Sequence, residues 1–295
     1  MKIKIADICV ELNLKKIDVI LPMYQEFIVN NGEEYPDIVV DIKDIGEMKK
    51  ASFSDEFDHD TYIWKKVNNN YILIFPSRGV FLDECQKQEI WYLVGNNELT
   101  NCILYIPNLY NLEKDYLICE LERRPWLQRL FINYCMNKNI VVMHGALCNI
   151  ENQGCLFLGN SGAGKSTICS IIEKNYSVYS DDRFVLRIYH DRIIGYGTPW
   201  NIKNPKYCHS NFIEVKKAYF LSHGKNEIEK LENKLEAVKR LMAQILHASI
   251  YKPEDILCWK IKVSNSIFSS IKLFDYSFFP DESCLNFIKG EFDEY

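Results

Sequence analysis

Apolar positions along this chain change their spacing near residue 115. Before that point they come in short runs broken by turn formers. Tyr71-Ile72-Leu73-Ile74-Phe75, Val80-Phe81-Leu82 and Glu89-Ile90-Trp91-Tyr92-Leu93-Val94 are such runs, punctuated by Pro76-Ser77-Arg78-Gly79 and Gly95-Asn96-Asn97. Runs of this length, rich in β-branched and aromatic residues, predict strands. Residues 1–115 are therefore expected to form a β-rich N-terminal domain. After that point Leu117, Leu121, Leu127, Leu130, Phe131 and Tyr134 predict an amphipathic helix over 117–137. Pro125 starts or disturbs it, and Arg123, Arg124 and Arg129 are expected on its wet face.

Strands and helices then mix, as in an α/β domain spanning 116–295. The stretch 140–150 is followed by a turn at Glu151-Asn152-Gln153-Gly154 and by the apolar run Cys155-Leu156-Phe157-Leu158, which predicts a hairpin. A helix is expected over 166–173 and a short strand over Tyr176–Ser180. A hairpin follows, Phe184–Tyr189 and Ile193–Tyr196 around His190-Asp191-Arg192, and then a strand at Val215–Leu221. Between Lys225 and His247, Ile228, Leu231, Leu235, Val238, Leu241, Ile245 and Leu246 make the longest helical pattern, read as a core-facing stripe.

Composition narrows the classes. The chain has 295 residues, 47% of them hydrophobic and 25% charged, values of a soluble globular protein. Its formal net charge of −5 lacks the basic footprint that nucleic-acid binding requires, so no nucleic-acid partner is expected. The 11 cysteines are dispersed, with no C-x-x-C pair and no zinc-ligand spacing, which suits a reducing compartment. Asp7 and Glu11 interrupt any apolar core near the start, and no run approaches the ~20 residues of a membrane helix. A cytoplasmic protein with no membrane partner is the expectation. The acidic run Asp55-Glu56-Phe57-Asp58-His59-Asp60 reads as a solvated loop rather than a metal site.

One stretch carries chemistry. Gly159-Asn160-Ser161-Gly162-Ala163-Gly164-Lys165-Ser166-Thr167 fits G-x-x-x-x-G-K-[ST], between a predicted strand and a predicted helix. Glycines let successive backbone N–H groups converge on one anion, and the helix N-terminus adds partial positive charge. Lys165 would reach the β- and γ-phosphates of a nucleotide, and the Ser166 hydroxyl would be a Mg²⁺ ligand.

Phosphoryl transfer also needs a carboxylate for the metal and a base near the attacking oxygen. Asp181 and Asp182 follow Lys165 by only 16 and 17 positions, room for one helix and one strand. That places the pair on a strand next to the loop strand, at the carboxyl edge where open α/β sheets bind ligands. Successive side chains of a strand face opposite ways, so the two aspartates should have different partners.

His144-Gly145, the hairpin, the 159–167 loop and Ser180-Asp181-Asp182-Arg183 together resemble the catalytic domain of HPr kinase/phosphorylase and its relatives. Gly197-Thr198-Pro199-Trp200, Lys217-Ala218-Tyr219-Phe220-Leu221 and Asn226-Glu227-Ile228-Glu229-Lys230-Leu231 resemble the branch that includes kinases of lasso-peptide precursors. The resemblance covers about residues 120–250. It implies a phosphoenolpyruvate-carboxykinase-like fold, with a mixed sheet flanked by helices, that uses ATP and Mg²⁺. It also implies a serine hydroxyl on a peptide or small protein as acceptor. By the same resemblance Asp181 is the general base, Asp182 helps hold the metal, and His144 orients the aspartates. The glutamate-arginine-glycine signature tied in that family to hexamer contacts and reverse phosphorolysis is not present. A homo-oligomer stays compatible with the sequence, which does not specify the state. Two rival readings keep the phosphate loop: a small-molecule kinase, for instance of free serine, and a non-catalytic nucleotide sensor.

Overall fold

The structure is a computed structural model. It describes residues 1–14, 21–29, 35–48, 63–67, 70–75, 90–136, 138–201, 203–247, 250–281 and 283–293. The acidic run 55–60, the turn 76–79 and the strand expected at 80–82 lie outside these residues. The chain divides into two compact units, Met1–Tyr134 with Ala248–Tyr251, and Cys135–His247 with Lys252–Tyr295. The division falls at 134/135, against the 115/116 expected from the change in spacing.

The first unit is built on an eight-stranded mixed sheet. Its strands are β1 (Lys2–Ile5), β2 (Ile8–Leu14), β3 (Ile28–Val29), β4 (Ile38–Asp44), β5 (Ile63–Val67), β6 (Asn70–Phe75), β7 (Trp91–Asn96) and β8 (Asn101–Ile106), in the order β3-β1-β2-β4-β8-β7-β6-β5. Strand β4 runs parallel to both β2 and β8, and the other pairs are antiparallel. Alternation buries Ile38, Val40 and Ile42 of β4 and leaves the residues between them half-exposed. The expected single helix is two, α1 (Lys114–Arg123) and α2 (Trp126–Cys135), broken at Pro125, which cannot continue the first helix's hydrogen bonding. Arg124 is not on a wet face. Its guanidinium stacks 4.3 Å from the ring centre of Trp91 and pairs with Glu120 at 2.6 Å. Arg129 is half-buried, and the side chain of Arg123 lies outside the description.

The second unit holds a nine-stranded mixed sheet and helices. Its strands are β9 (Ile140–His144), β10 (Ala146–Ile150), β11 (Gln153–Leu158), β12 (Ser177–Ser180), β13 (Arg183–Ile188), β14 (Ile193–Tyr196), β15 (Phe212–His223), β16 (Glu227–Lys230) and β17 (Lys272–Phe278). The helices are α3 (Lys165–Ile172), α4 (Lys234–Gln244), α5 (Pro253–Ser270) and α6 (Ser283–Asp293). The path runs β12-β10-β11-β15-β14-β13-β9, with β17 also on β15 and β16 on β17. Phe157, Tyr219, Phe274, Tyr276 and Phe278 form an aromatic core layer under α3, with Ile168 and Ile172 of that helix fully buried against it.

Three local expectations change. The stretch 140–150 is not one strand: Gly145 separates β9, which pairs with β13, from β10, which pairs with β11 and β12. A side chain at Gly145 would meet Leu158 Cδ2 at 2.8 Å and the Phe157 carbonyl at 3.0 Å, so the corner needs glycine. The hairpin turn is two residues, Glu151 and Asn152, at φ 51° and 60°, the backbone that lets two strands join tightly. The helical pattern of 225–247 holds only from Lys234, where the Asn233 side chain accepts from Glu236 N. Ahead of it Glu227-Ile228-Glu229-Lys230 alternates polar and apolar and is a strand on β17. Among the described residues the longest helix is α5, outside the expected pattern. Among the described residues no helix is long and apolar enough to cross a membrane.

Candidate active site

Strand directions bring the candidate chemistry to one edge of the second sheet. Strand β10 is antiparallel to both β11 and β12, so β11 and β12 point the same way. Strand β15 is parallel to β11, and β17 to β15. The ends of all four strands therefore lie on one edge: the 159–164 loop after β11, Asp181-Asp182 after β12, His223 at the end of β15 and Phe278 at the end of β17. One expectation is corrected here. The acidic pair does not follow a neighbour of the loop strand, because β10 lies between β12 and β11. The insertion of β10 follows from the hairpin, whose second strand leads straight into the loop.

The loop has the backbone its glycines permit. Gly159, Gly162 and Gly164 have φ of 151°, 84° and 96°, values that strain any side chain. At Gly164 an added Cβ would stand 2.5 Å from Cζ of Phe278, so that position excludes side chains on two counts. Helix α3 begins directly at Lys165, and the Ala163 N–H donates to the Asn160 carbonyl at 3.1 Å inside the loop. Lys165 folds back, its Nζ donating to the carbonyls of Gly159 at 2.7 Å and Asn160 at 3.0 Å. The side chain is buried, and burial lowers its pKa while the charge of Asp182 opposes that shift. From the neighbouring strand end, His223 Nε2 lies 2.6 Å from the Gly162 carbonyl. A carbonyl only accepts, so Nε2 carries the proton.

The two aspartates stand in the corner between β12 and β13, in neither strand, and have different partners. Asp181 is 4% exposed. Asn204 Nδ2 donates to its Oδ2, while its Oδ1 is buried with no hydrogen-bond partner among the described residues. Burial raises the pKa of Asp181; the Asn204 bond opposes this and the charge of Asp182 adds to it. Asp182 is more open. His144 stands across the ladder from Arg183, which brings His144 Nε2 to 3.4 Å from Asp182 Oδ1, with Arg183 Nε 3.7 Å from Oδ2. Burial pushes Asp182 up, but the His144 hydrogen bond and the charges of Arg183, His144 and Lys203 outweigh it and hold the carboxyl below its ordinary range. Gly145 N donates to the Asp182 carbonyl at 2.9 Å, joining the two corners of the sheet.

A cavity of about 260 Å³ is lined by His144, Ser161, Gly162, Gly164, Lys165, Ser166, Thr167, Asp181, Asp182, Lys203 and His223. Nine of these were singled out from the sequence. Gly159 and Asn160 support the cavity through their bonds to Lys165. Lys203 and His223 were not singled out, nor were Asn201 and Asn204 behind them. Only His223 left a trace, as a titratable residue just past a predicted strand whose end shares the loop's edge. The other three sit in an irregular segment with no periodicity.

The donor set suits a nucleotide and its metal. Hydroxyl and carboxylate oxygens of Ser166, Asp181 and Asp182 are the ligands a hard divalent ion prefers, and Asp181 Oδ1 is a buried acceptor with no donor among the described residues. Among the described residues no three His, Cys, Asp or Glu side chains come together as a metal cage. Mg²⁺ held by one or two carboxylates and substrate phosphates does not need one.

No protein-family model matches the chain. No curated protein matches it either. Among solved structures the chain is similar to the Hpr(Ser) kinase/phosphatase from Coxiella burnetii, at 11% identity and a TM-score of 0.30, over 52% of this chain and 98% of that one. A likeness at that level carries no argument about fold or chemistry, and the functional reading rests on the cavity.

Proposed function

We propose that this protein is a kinase that transfers the terminal phosphoryl group of ATP to a hydroxyl. The supporting observation is the meeting of Lys165 and Ser166 with Asp181 and Asp182 in one cavity at the edge where β11 and β12 end. In this reading Lys165 leaves its two loop carbonyls to bind the β- and γ-phosphates. Ser166 and Asp182 hold Mg²⁺, which when bound offsets phosphate charge. The depressed pKa of Asp182 keeps it ionised for that role. His144 and Arg183 orient its two oxygens. Asp181 takes the proton of the attacking hydroxyl. A carboxylate whose pKa burial has raised is a better base near neutrality than an ordinary one. The hydroxyl oxygen bonds to the γ-phosphorus, the bond to the bridging oxygen breaks, and ADP leaves with that electron pair.

The acceptor class rests on the sequence resemblance: a serine of a peptide or small protein, of the kind found in peptide natural-product precursors of the lasso type. The test is transfer of label from γ-labelled ATP with Mg²⁺ to a serine-containing peptide library and, in parallel, to free serine. Label on peptides supports the full reading, and label on free serine alone moves it to a small-molecule kinase. ATP binding that depends on Lys165, with no transfer to any hydroxyl, would make the protein a nucleotide sensor.

A further inference from the structure

The segment from Gly197 to Tyr207 is staked to the candidate site at four places. Thr198 Oγ1 donates to the Arg183 carbonyl at 2.6 Å. Asn201, fully buried, accepts from Asp182 N at 3.2 Å, and its Oδ1 stands 2.8 Å from Ser180 Oγ. The same side chain donates to the carbonyls of Thr198 at 3.0 Å and Tyr207 at 2.8 Å, so all four of its hydrogen-bonding positions are used inside this one junction. Asn204 donates to Asp181 Oδ2. At the far end Tyr207 Oη donates to Glu173 Oε2 at 2.6 Å, and Lys206 Nζ lies 2.7 Å from the same carboxylate, just past the end of α3. The segment thus spans from the acidic pair to the helix that carries Lys165.

Lys203 lies between the two asparagines. Its neighbour Asn204 and its near neighbour Asn201 are each tied to one aspartate, so its backbone is fixed relative to both. Its side chain lines the cavity together with Lys165, from a different element. Among the described residues no hydrogen bond or ion pair uses its ammonium group. Asn201, Asn204, Lys206 and Tyr207 around it are all committed to structural bonds, whereas Lys203 lines the cavity. Its charge reaches both Lys165 and Asp182, lowering the pKa of each.

We propose that Lys203 is a second phosphate-binding cation, holding the terminal phosphoryl group of the nucleotide while Lys165 holds the inner bridge. This rests on reading the cavity as a nucleotide site. The chemistry calls for such a group. In phosphoryl transfer the charge spreads over three equatorial oxygens of the moving group, and a cation supplied from outside the phosphate loop stabilises it. A lysine serves as a point charge for that purpose and does not need the bidentate geometry of arginine. The segment that delivers Lys203 also sets Asp181 through Asn204. The cation for the terminal phosphoryl group and the base for the acceptor therefore move as one piece.

The test measures affinity of MgATP and MgADP for the full chain, by calorimetry, for wild type, Lys203→Ala, Lys203→Arg and Lys165→Ala. Lys203→Ala should weaken MgATP by about tenfold or more, the scale of one lost hydrogen bond to a charged group, and MgADP by less than about threefold. Lys203→Arg should recover most of the loss, since it keeps the charge. Lys165→Ala should weaken both nucleotides. Because Lys203 is exposed, its variants should melt with the wild type, which checks that the fold is intact. Equal losses of ATP and ADP in Lys203→Ala, or none, would overturn the assignment while leaving the nucleotide site standing. Failure of the wild type to bind either nucleotide would overturn the underlying reading, and Lys203 with it.

Discussion

Asn204 donates a hydrogen bond to one oxygen of Asp181, and the other oxygen is buried with no partner among the described residues. This division sets the proton affinity of the candidate base. Burial raises the pKa of Asp181, and the Asn204 bond is the largest influence opposing it. Removing that bond should therefore raise the pKa further. A base works only when deprotonated, so activity falls as pH drops through its pKa. Asn204→Ala should move the acidic limb of the kcat/KM profile to higher pH, measured across pH 5–9, an ordinary assay window of about four units around neutrality. An unmoved or lowered limb would separate Asn204 from the base, or Asp181 from that role.

Asp181→Asn keeps the shape and loses the basicity. Phosphotransfer should fall by about 10²–10⁴-fold while ATP affinity stays close to wild type. Calorimetry with ATP beside single-turnover transfer separates the two quantities. If binding collapses and transfer per bound complex survives, Asp181 is the metal ligand, and the roles of the two aspartates are exchanged.

His144 Nε2 faces Asp182 Oδ1 at 3.4 Å. It should therefore act on the metal requirement. His144→Ala should raise the Mg²⁺ concentration for half-maximal activity by about 10–100-fold, the usual cost of losing a partner behind a metal ligand. The bond from His144 lowers the pKa of Asp182, so the loss should grow as pH falls, when the unassisted carboxylate begins to protonate. A Mg²⁺ titration at two pH values reads both effects.

Asn201→Ala should destabilise the second unit. Asn201 has no exposure, and truncation leaves Asp182 N and the carbonyls of Thr198 and Tyr207 without this partner. Each buried polar group left unpaired costs about 1–3 kcal/mol, so a loss of at least about 2 kcal/mol is expected in denaturant unfolding. Asn201→Asp, which keeps the acceptor but puts a charge there, should be no better.

Gly164→Ala is a test of the loop. Its φ of 96° is costly for alanine, and the new Cβ would press on Phe278. Backbone strain alone costs about 1–3 kcal/mol, so the melting temperature should drop and nucleotide affinity should fall with it. Gly162→Ala has open space around its Cβ and carries only the backbone term, so it should melt higher than Gly164→Ala.

The sequence by itself determined the features that depend on neighbours along the chain. The strand Gln153–Leu158, the loop that follows and the helix from Lys165 were legible, because a buried apolar run, positive-φ glycines and a helix start are local properties. Separate partners for Asp181 and Asp182 were expected from strand alternation, but the pair stands in the corner between β12 and β13, where tertiary contacts set the partners. Tertiary structure decided what depends on pairing. Glu227–Lys230 has helical spacing when read with the residues after it, but β17 offers an open edge, and pairing overrides propensity there. Gly145 splits an apolar run that looks continuous, because Leu158 and Phe157 from the next hairpin strand leave no room for a side chain. The setting of β10 between β11 and β12 decided how far the acidic pair stands from the loop strand. Asn201 and Asn204 reach the acidic pair, and His223 reaches the loop, through contacts across 19 to 61 positions of chain, and Lys203 enters the cavity between the two asparagines. Local chemistry writes a phosphate loop into the order of its residues. The charges and amides that surround it come from folding distant segments onto one edge of a sheet, and no spacing along the chain records that.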